Sequence, residues 1–123
     1  MIKFDKEQVL LVYKTLVSMT GGAYGVRDED LMVSAIEAPF QTFGGVELFP
    51  SIREKGARLG YGLVANHPFI DGNKRIGLLV MLAFLEANKV FVNCDDEELI
   101  DLGLGVASGK YKYEDVLEFV NKY

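Results

Sequence analysis

A chain of 123 residues, half hydrophobic and a quarter charged, has the length of one domain and a composition that excludes a disordered polymer. Its formal net charge of -5 argues against sequence-independent binding to nucleic acid, which runs on Lys and Arg neutralising phosphates; a local basic pocket stays open. The single cysteine, Cys94, excludes an intrachain disulfide and suits a reducing cytoplasm, and no apolar run reaches the ~18 residues of a membrane span.

Residues 1–20 carry Asp5, Lys6, Glu7 and Lys14, which does not fit a signal peptide, and residues 1–123 read as one domain without repeats or long linkers. Asp5 and Gln8 stand at capping-box spacing, and Val9, Leu10, Val12, Tyr13, Leu16 and Val17 follow at helical intervals. This predicts a first helix that stops at Gly21-Gly22. Asp28 opens a second, running through Leu31, Met32, Ala35 and Ile36 to a break before Pro39. Aromatic and β-branched residues then flank Gly44-Gly45, with Phe40, Thr42 and Phe43 before it and Val46, Leu48 and Phe49 after, closed by Pro50. The pattern predicts a short β-hairpin flap that must lean on the helical body, since two strands alone are marginal. Its edges are of the kind that pair with a partner's chain.

Ser51 and Glu54 form a second capping box, opening a helix through Ala57, Leu59, Leu63 and Val64. A polar turn at residues 67–73 leads into the most apolar helix, roughly residues 73–88, with Ile76, Leu78, Leu79, Val80, Met81, Leu82, Phe84 and Leu85. Apolar residues around most of its circumference mark a central, buried helix. Asp95-Asp96-Glu97-Glu98 could be taken for a calcium site, but acids at a helix start are ordinary capping. Residues 113–123 form a last helix. The fold class is therefore all-α, a compact bundle of about six helices with one small flap.

The one histidine lies in Asn66-His67-Pro68-Phe69-Ile70-Asp71-Gly72-Asn73-Lys74-Arg75. This stretch meets the N-terminus of the central helix, where free N–H groups and the helix dipole favour an anion. Gly72 permits close backbone approach, so the amides of Gly72, Asn73 and Lys74 can form a nest for phosphate oxygens. Lys74 and Arg75 add positive charge, and a guanidinium fork matches phosphate. Asp71 beside such a site is suited to Mg²⁺, which keeps substrate oxygens among its ligands. An imidazole such as that of His67 can take a proton from a hydroxyl near neutral pH. Singly, a histidine is more often structural and an Asp-Gly pair more often a turn. Together these residues make a phosphoryl- or nucleotidyl-transfer set.

The nine residues HPFIDGNKR resemble the signature of the Fic/Doc family: His, any residue or Pro, Phe, any residue, Asp or Glu, Gly or Ala, Asn, Gly or Lys, Arg. Gly21-Gly22, Val26-Arg27-Asp28, the flap before Pro50 and the glycine-rich residues 101–109 extend the likeness along the chain. Short chains of this shape are similar to the Doc ("death on curing") branch more than to the longer Fic proteins. Fic enzymes carry Gly after the motif Asn and a second Arg three residues after the motif Arg, and they transfer AMP. Lys74 and Leu78 stand at those two positions here, as in the Doc branch, which binds the nucleotide in the reversed sense and transfers the γ-phosphate. Pro68 and Gly72 are the Fic-like choices, so the motif is mixed.

The resemblance implies that His67 is the general base, that Asp71 binds Mg²⁺, and that Gly72, Asn73, Lys74 and Arg75 hold the phosphates of ATP. Phe69 would anchor the loop internally, and the flap around residues 40–49 would dock a target segment by strand-like pairing. It further implies a cytoplasmic toxin that phosphorylates a hydroxyl side chain of elongation factor Tu. The chain has no match to the inhibitory helix of some Fic proteins, so inhibition would come in trans from a Phd-like antitoxin. The alternatives are a Fic-type AMP transferase and a catalytically silent binding module of the same fold. A dinucleotide-binding reading of residues 103–109 fails, because Ser108 stands where the last glycine belongs and no βαβ unit surrounds it. Those small residues suit close helix packing instead. Cys94, beside Asp95 and Asp96, is read as structural because the neighbouring charges disfavour its thiolate.

Overall fold

A computed structural model describes residues 1–21, 23–69 and 73–123. Its helices are α1 (Lys6–Thr20), α2 (Glu29–Glu37), α3 (Ile52–Ala65), α4 (Asn73–Ala87), α5 (Asp96–Ala107) and α6 (Tyr113–Lys122). Between α2 and α3 lie a 3₁₀ turn, Ala38–Phe40, and the two strands β1 (Thr42–Phe43) and β2 (Val46–Glu47). The all-α expectation with a small hairpin holds, and so do the starts of the capped helices. Asp5, Ser51 and Asp95 each accept the N–H three residues on, and Gln8, Glu54 and Glu98 reach back to the cap N–H. Asp95 and Glu98 are thus engaged in capping.

The centre of the molecule is the antiparallel α3–α4 pair. A Cβ on Gly56 would lie 2.4 Å from Leu85 Cδ2, one on Gly60 2.8 Å from Met81 Sδ, and one on Gly77 2.7 Å from Val64 Cγ2. Only the bare backbone admits that approach, and it seats Leu63, Val64, Val80, Met81, Phe84 and Leu85 in one buried cluster. Around this pair, α6 is tied to α3 by the Arg53 guanidinium, which donates to the Val120 carbonyl at 2.9 Å. The Tyr113 hydroxyl donates to the Glu54 carbonyl at 3.4 Å, and burial followed by the charges of Glu54 and Glu114 pushes its pKa up to about 12. On α5, a Cβ at Gly103 would meet Leu78 Cδ1 at 3.2 Å, and one at Gly105 would run into the Tyr111 ring. The glycine-rich stretch does serve helix packing.

The second α-helix ends at Glu37, ahead of Pro39 as expected, and the chain then tightens into the 3₁₀ turn, with proline in its opening positions, where the missing N–H costs nothing. In the flap, Thr42 pairs with Glu47 and Phe43 with Val46. Gly44 and Gly45 both adopt positive φ, +57° and +80°, as a two-residue hairpin of this hand requires. Among the described residues no helix is long and apolar enough to cross a membrane.

Candidate active site

The motif follows α3 directly. Asn66 caps that helix, its N–H bonded to the Gly62 carbonyl and its side-chain amide donating to the Leu31 carbonyl at 3.1 Å. His67 then turns the chain with φ +48°, a left-handed conformation uncommon for a residue with a Cβ and here braced by its surroundings. The ring-bearing residue is half-buried, while Pro68 and Phe69 are buried.

The surroundings that brace the turn come from the α1–α2 connection. The Pro68 carbonyl accepts two N–H groups, from Arg27 at 2.7 Å and Asp28 at 3.1 Å, and the Arg27 guanidinium donates to the His67 carbonyl. Val26 and Phe69 form an antiparallel bridge. Phe69 is 1% exposed and stacks on the Tyr13 ring, centroids 4.1 Å apart. Tyr13 is fully buried; its hydroxyl shares its one proton between the Ala23 and Gly25 carbonyls and accepts the Gly25 N–H, all at 3.0 Å. A single side chain of α1 therefore fixes the backbone of residues 23–25 with one end and the Phe69 ring with the other. Phe69 is the internal anchor expected from the sequence.

Asp71 and Gly72 lie outside the described residues, as does Gly22 of the first turn. Asn73 is the first residue of α4, and Lys74 and Arg75 follow it as exposed cations in the first helical turn, where unpaired N–H groups and the dipole already favour an anion. Leu78, one turn on, is 1% exposed and packs toward Gly103 rather than toward solvent. Among the described residues no group of three or more His, Cys, Asp or Glu could hold a metal ion, so a protein-only metal cage is absent from them.

The cleft between the last two helices carries charge of the wrong sign for phosphate. It measures about 320 Å³ and is lined by Glu98, Asp101, Asp115 and Glu118, against Lys122. Cys94 is half-buried; burial first, then the charges of Glu98, Asp95 and Asp96, raises its thiol pKa and keeps it a poor nucleophile.

Two residues that position the motif, Tyr13 and Arg27, carry no such role in the sequence reading. Tyr13 sits in the apolar stripe of α1, and a buried tyrosine demands a partner for its hydroxyl, but the stripe does not say which. Arg27 stands immediately before the Asp28 cap, and Val26-Arg27-Asp28 entered the reading only as part of the family likeness.

A helical body thus clamps a His-Pro-Phe turn ahead of a cationic helix start. The chain belongs to the Fic/Doc family, whose family model matches residues 3–85. It is similar to "Toxin Doc" of Mycolicibacterium smegmatis, with 37% identity over 91 residues that make up 74% of this chain and 68% of that protein.

Proposed function

We propose that this chain is a Doc-like toxin that moves the γ-phosphate of ATP onto a hydroxyl side chain of elongation factor Tu, held in check in trans by a Phd-like antitoxin. The observation that carries the choice of phosphate over AMP is Leu78: the position where an AMP transferase presents a second phosphate-binding arginine is a leucine packed in the core. Lys74, exposed in the first turn of α4, adds a side chain where the AMP transferases have only glycine. The likeness to a protein named as a Doc toxin supports the same branch.

In this reading His67 accepts the proton of the target hydroxyl, the freed oxygen attacks the γ-phosphorus, and the bond to the bridging oxygen breaks to release ADP. Arg75, Lys74 and the opening amides of α4, with Gly72 and Asn73, hold the phosphates in line. Asp71 is the residue that would hold Mg²⁺, whose contribution when bound is to neutralise phosphate charge. The left-handed turn at His67, fixed by Arg27 and Tyr13, holds the base in place without relying on its own flexibility. The same reading has the protein act in the cytoplasm, where ATP and the translation machinery meet.

The test is an intact-mass assay of elongation factor Tu incubated with this protein, Mg²⁺ and ATP. A phosphoryl-sized gain is expected, and His67→Ala should slow it by about 10²–10⁴ while leaving the helical fold intact. An adenylyl-sized gain would reassign the chain to the AMP transferases, in keeping with its Fic-like Pro68 and Gly72. Loss of soluble His67→Ala protein would make the histidine structural.

A further inference from the structure

Among the described residues Lys55 is the one charged side chain that is buried, at 1% exposure, and it lies on α3 at the end away from His67. Burying an ammonium group is expensive unless its protons are matched, so its partners show what the burial is for. Both partners belong to the flap and its exit. Lys55 Nζ donates to Glu47 Oε1 on β2 at 2.9 Å and to the Phe49 carbonyl just beyond it, and it lies 6.0 Å from the Phe40 ring centroid at the flap's entrance. Glu47 itself is half exposed, so the pair is dry at the lysine end and wet at the carboxylate end.

The flap has little else to hold it. Its strands are two residues each, and Phe43, Val46 and Leu48 are 80%, 68% and 50% exposed. Phe49 adds a ring contact to Tyr113, centroids 5.1 Å apart, and Leu48 N–H bonds back to the Gln41 carbonyl at 3.1 Å. A hairpin with its apolar side chains in solvent and no third strand would not keep one orientation by its own packing.

We propose that Lys55 is a positioning residue that latches the flap to α3 by gripping Glu47 and the Phe49 carbonyl, presetting the strand edge that receives the acceptor protein. One helix then carries both the mount of the flap and, at its C-terminus, the lead into His67. The inference rests on the reading of the flap as the docking edge. It places no group of Lys55 in contact with ATP or the reacting hydroxyl; the effect is on binding geometry, reached through Glu47.

Hydrogen exchange and steady-state transfer to elongation factor Tu test this on the full chain with Lys55→Met and Glu47→Gln. In Lys55→Met the Leu48 amide should exchange about tenfold faster while amides of α3 and α4 keep their rates. KM for the acceptor should rise about tenfold with kcat within about twofold, because ordering the flap would now be charged to binding. Glu47→Gln, which removes the charge but keeps an Oε1 acceptor for the buried ammonium, should move both readouts the same way by less. It decides the matter if Lys55→Met fails to fold. Unchanged Leu48 exchange in the variants overturns the latch. Faster exchange with unchanged KM overturns the positioning role and leaves a brace. Exchange is read without acceptor, so a wild-type protein inactive on elongation factor Tu would count against the proposed function and not against the latch.

Discussion

The α3–α4 pair and the loop joining its two helices are one continuous stretch of chain, yet they are held by opposite means. The pair is fixed by its own side chains: Gly56, Gly60 and Gly77 draw the helices together until Leu85, Met81 and Val64 fill the gap. The described residues of the loop, His67, Pro68 and Phe69, draw on a distant stretch of the sequence. They are held by Arg27, Asp28 and Tyr13, from far along the sequence, through hydrogen bonds to backbone carbonyls and a ring stack. Packing between helices thus secures the one region, and long-range hydrogen bonds join a ring stack to secure placement in the other. The two can be damaged separately.

The largest effect on stability belongs to the packed region. Gly60→Val puts a branched side chain where a Cβ alone would sit 2.8 Å from Met81 Sδ and 2.9 Å from Met81 Cβ, so helices must part. We expect a loss of about 2–3 kcal/mol, read as a lower urea midpoint with an unchanged slope. A midpoint within error of wild type would mean that the pair is looser than its spacing indicates. Tyr13→Phe breaks the other region. It keeps the ring stack on Phe69 but removes the hydroxyl shared by the Ala23 and Gly25 carbonyls and the Gly25 N–H. The expected cost is about 1–2 kcal/mol, with a larger proportional loss of transfer activity than Gly60→Val shows at equal residual stability. Equal losses would erase the distinction between the regions.

The smallest effect sharpens the comparison from inside the packed half. Arg58 Nη1, on α3, is buried without a hydrogen-bond partner among the described residues, and burial lowers the pKa of its guanidinium. The guanidinium does lie 5.6 Å from the Tyr61 ring centroid, but that contact does not satisfy Nη1. Arg58→Met should therefore be neutral or stabilising by about 0.5–1 kcal/mol in the same urea titration. A loss of about 1 kcal/mol or more would show that polar contacts support the helices too.

The same division explains what the sequence disclosed. Helix starts are local: Asp5 with Gln8, Ser51 with Glu54 and Asp95 with Glu98 each form a cap over four residues, and all three were legible. The apolar circumference of α4 identified the central helix, and Gly44-Gly45 marked the flap. The motif residues could be named and their chemistry assigned from residue type. What could not be read was their support. Arg27 meets His67 across 40 positions, and Lys55 reaches back eight positions to Glu47 on a hairpin whose orientation no local pattern encodes. Nor does periodicity foresee that the chain continues past Glu37 into a 3₁₀ turn, since Pro39 forbids an α-helical interior but not a helical opening.

The clamp of residues 13–28 on residues 67–69 has a consequence for partly folded copies of the chain. A contact bridging 40 positions is made or lost as a unit. An excursion that lifts α1 and α2 from the body would release the histidine turn while α3, α4 and α6 stay docked, since their mutual packing does not pass through the clamp. Such a species would keep most of its helix content and lose the turn at His67. In this architecture that turn is set only once the first and middle thirds of the chain have found each other.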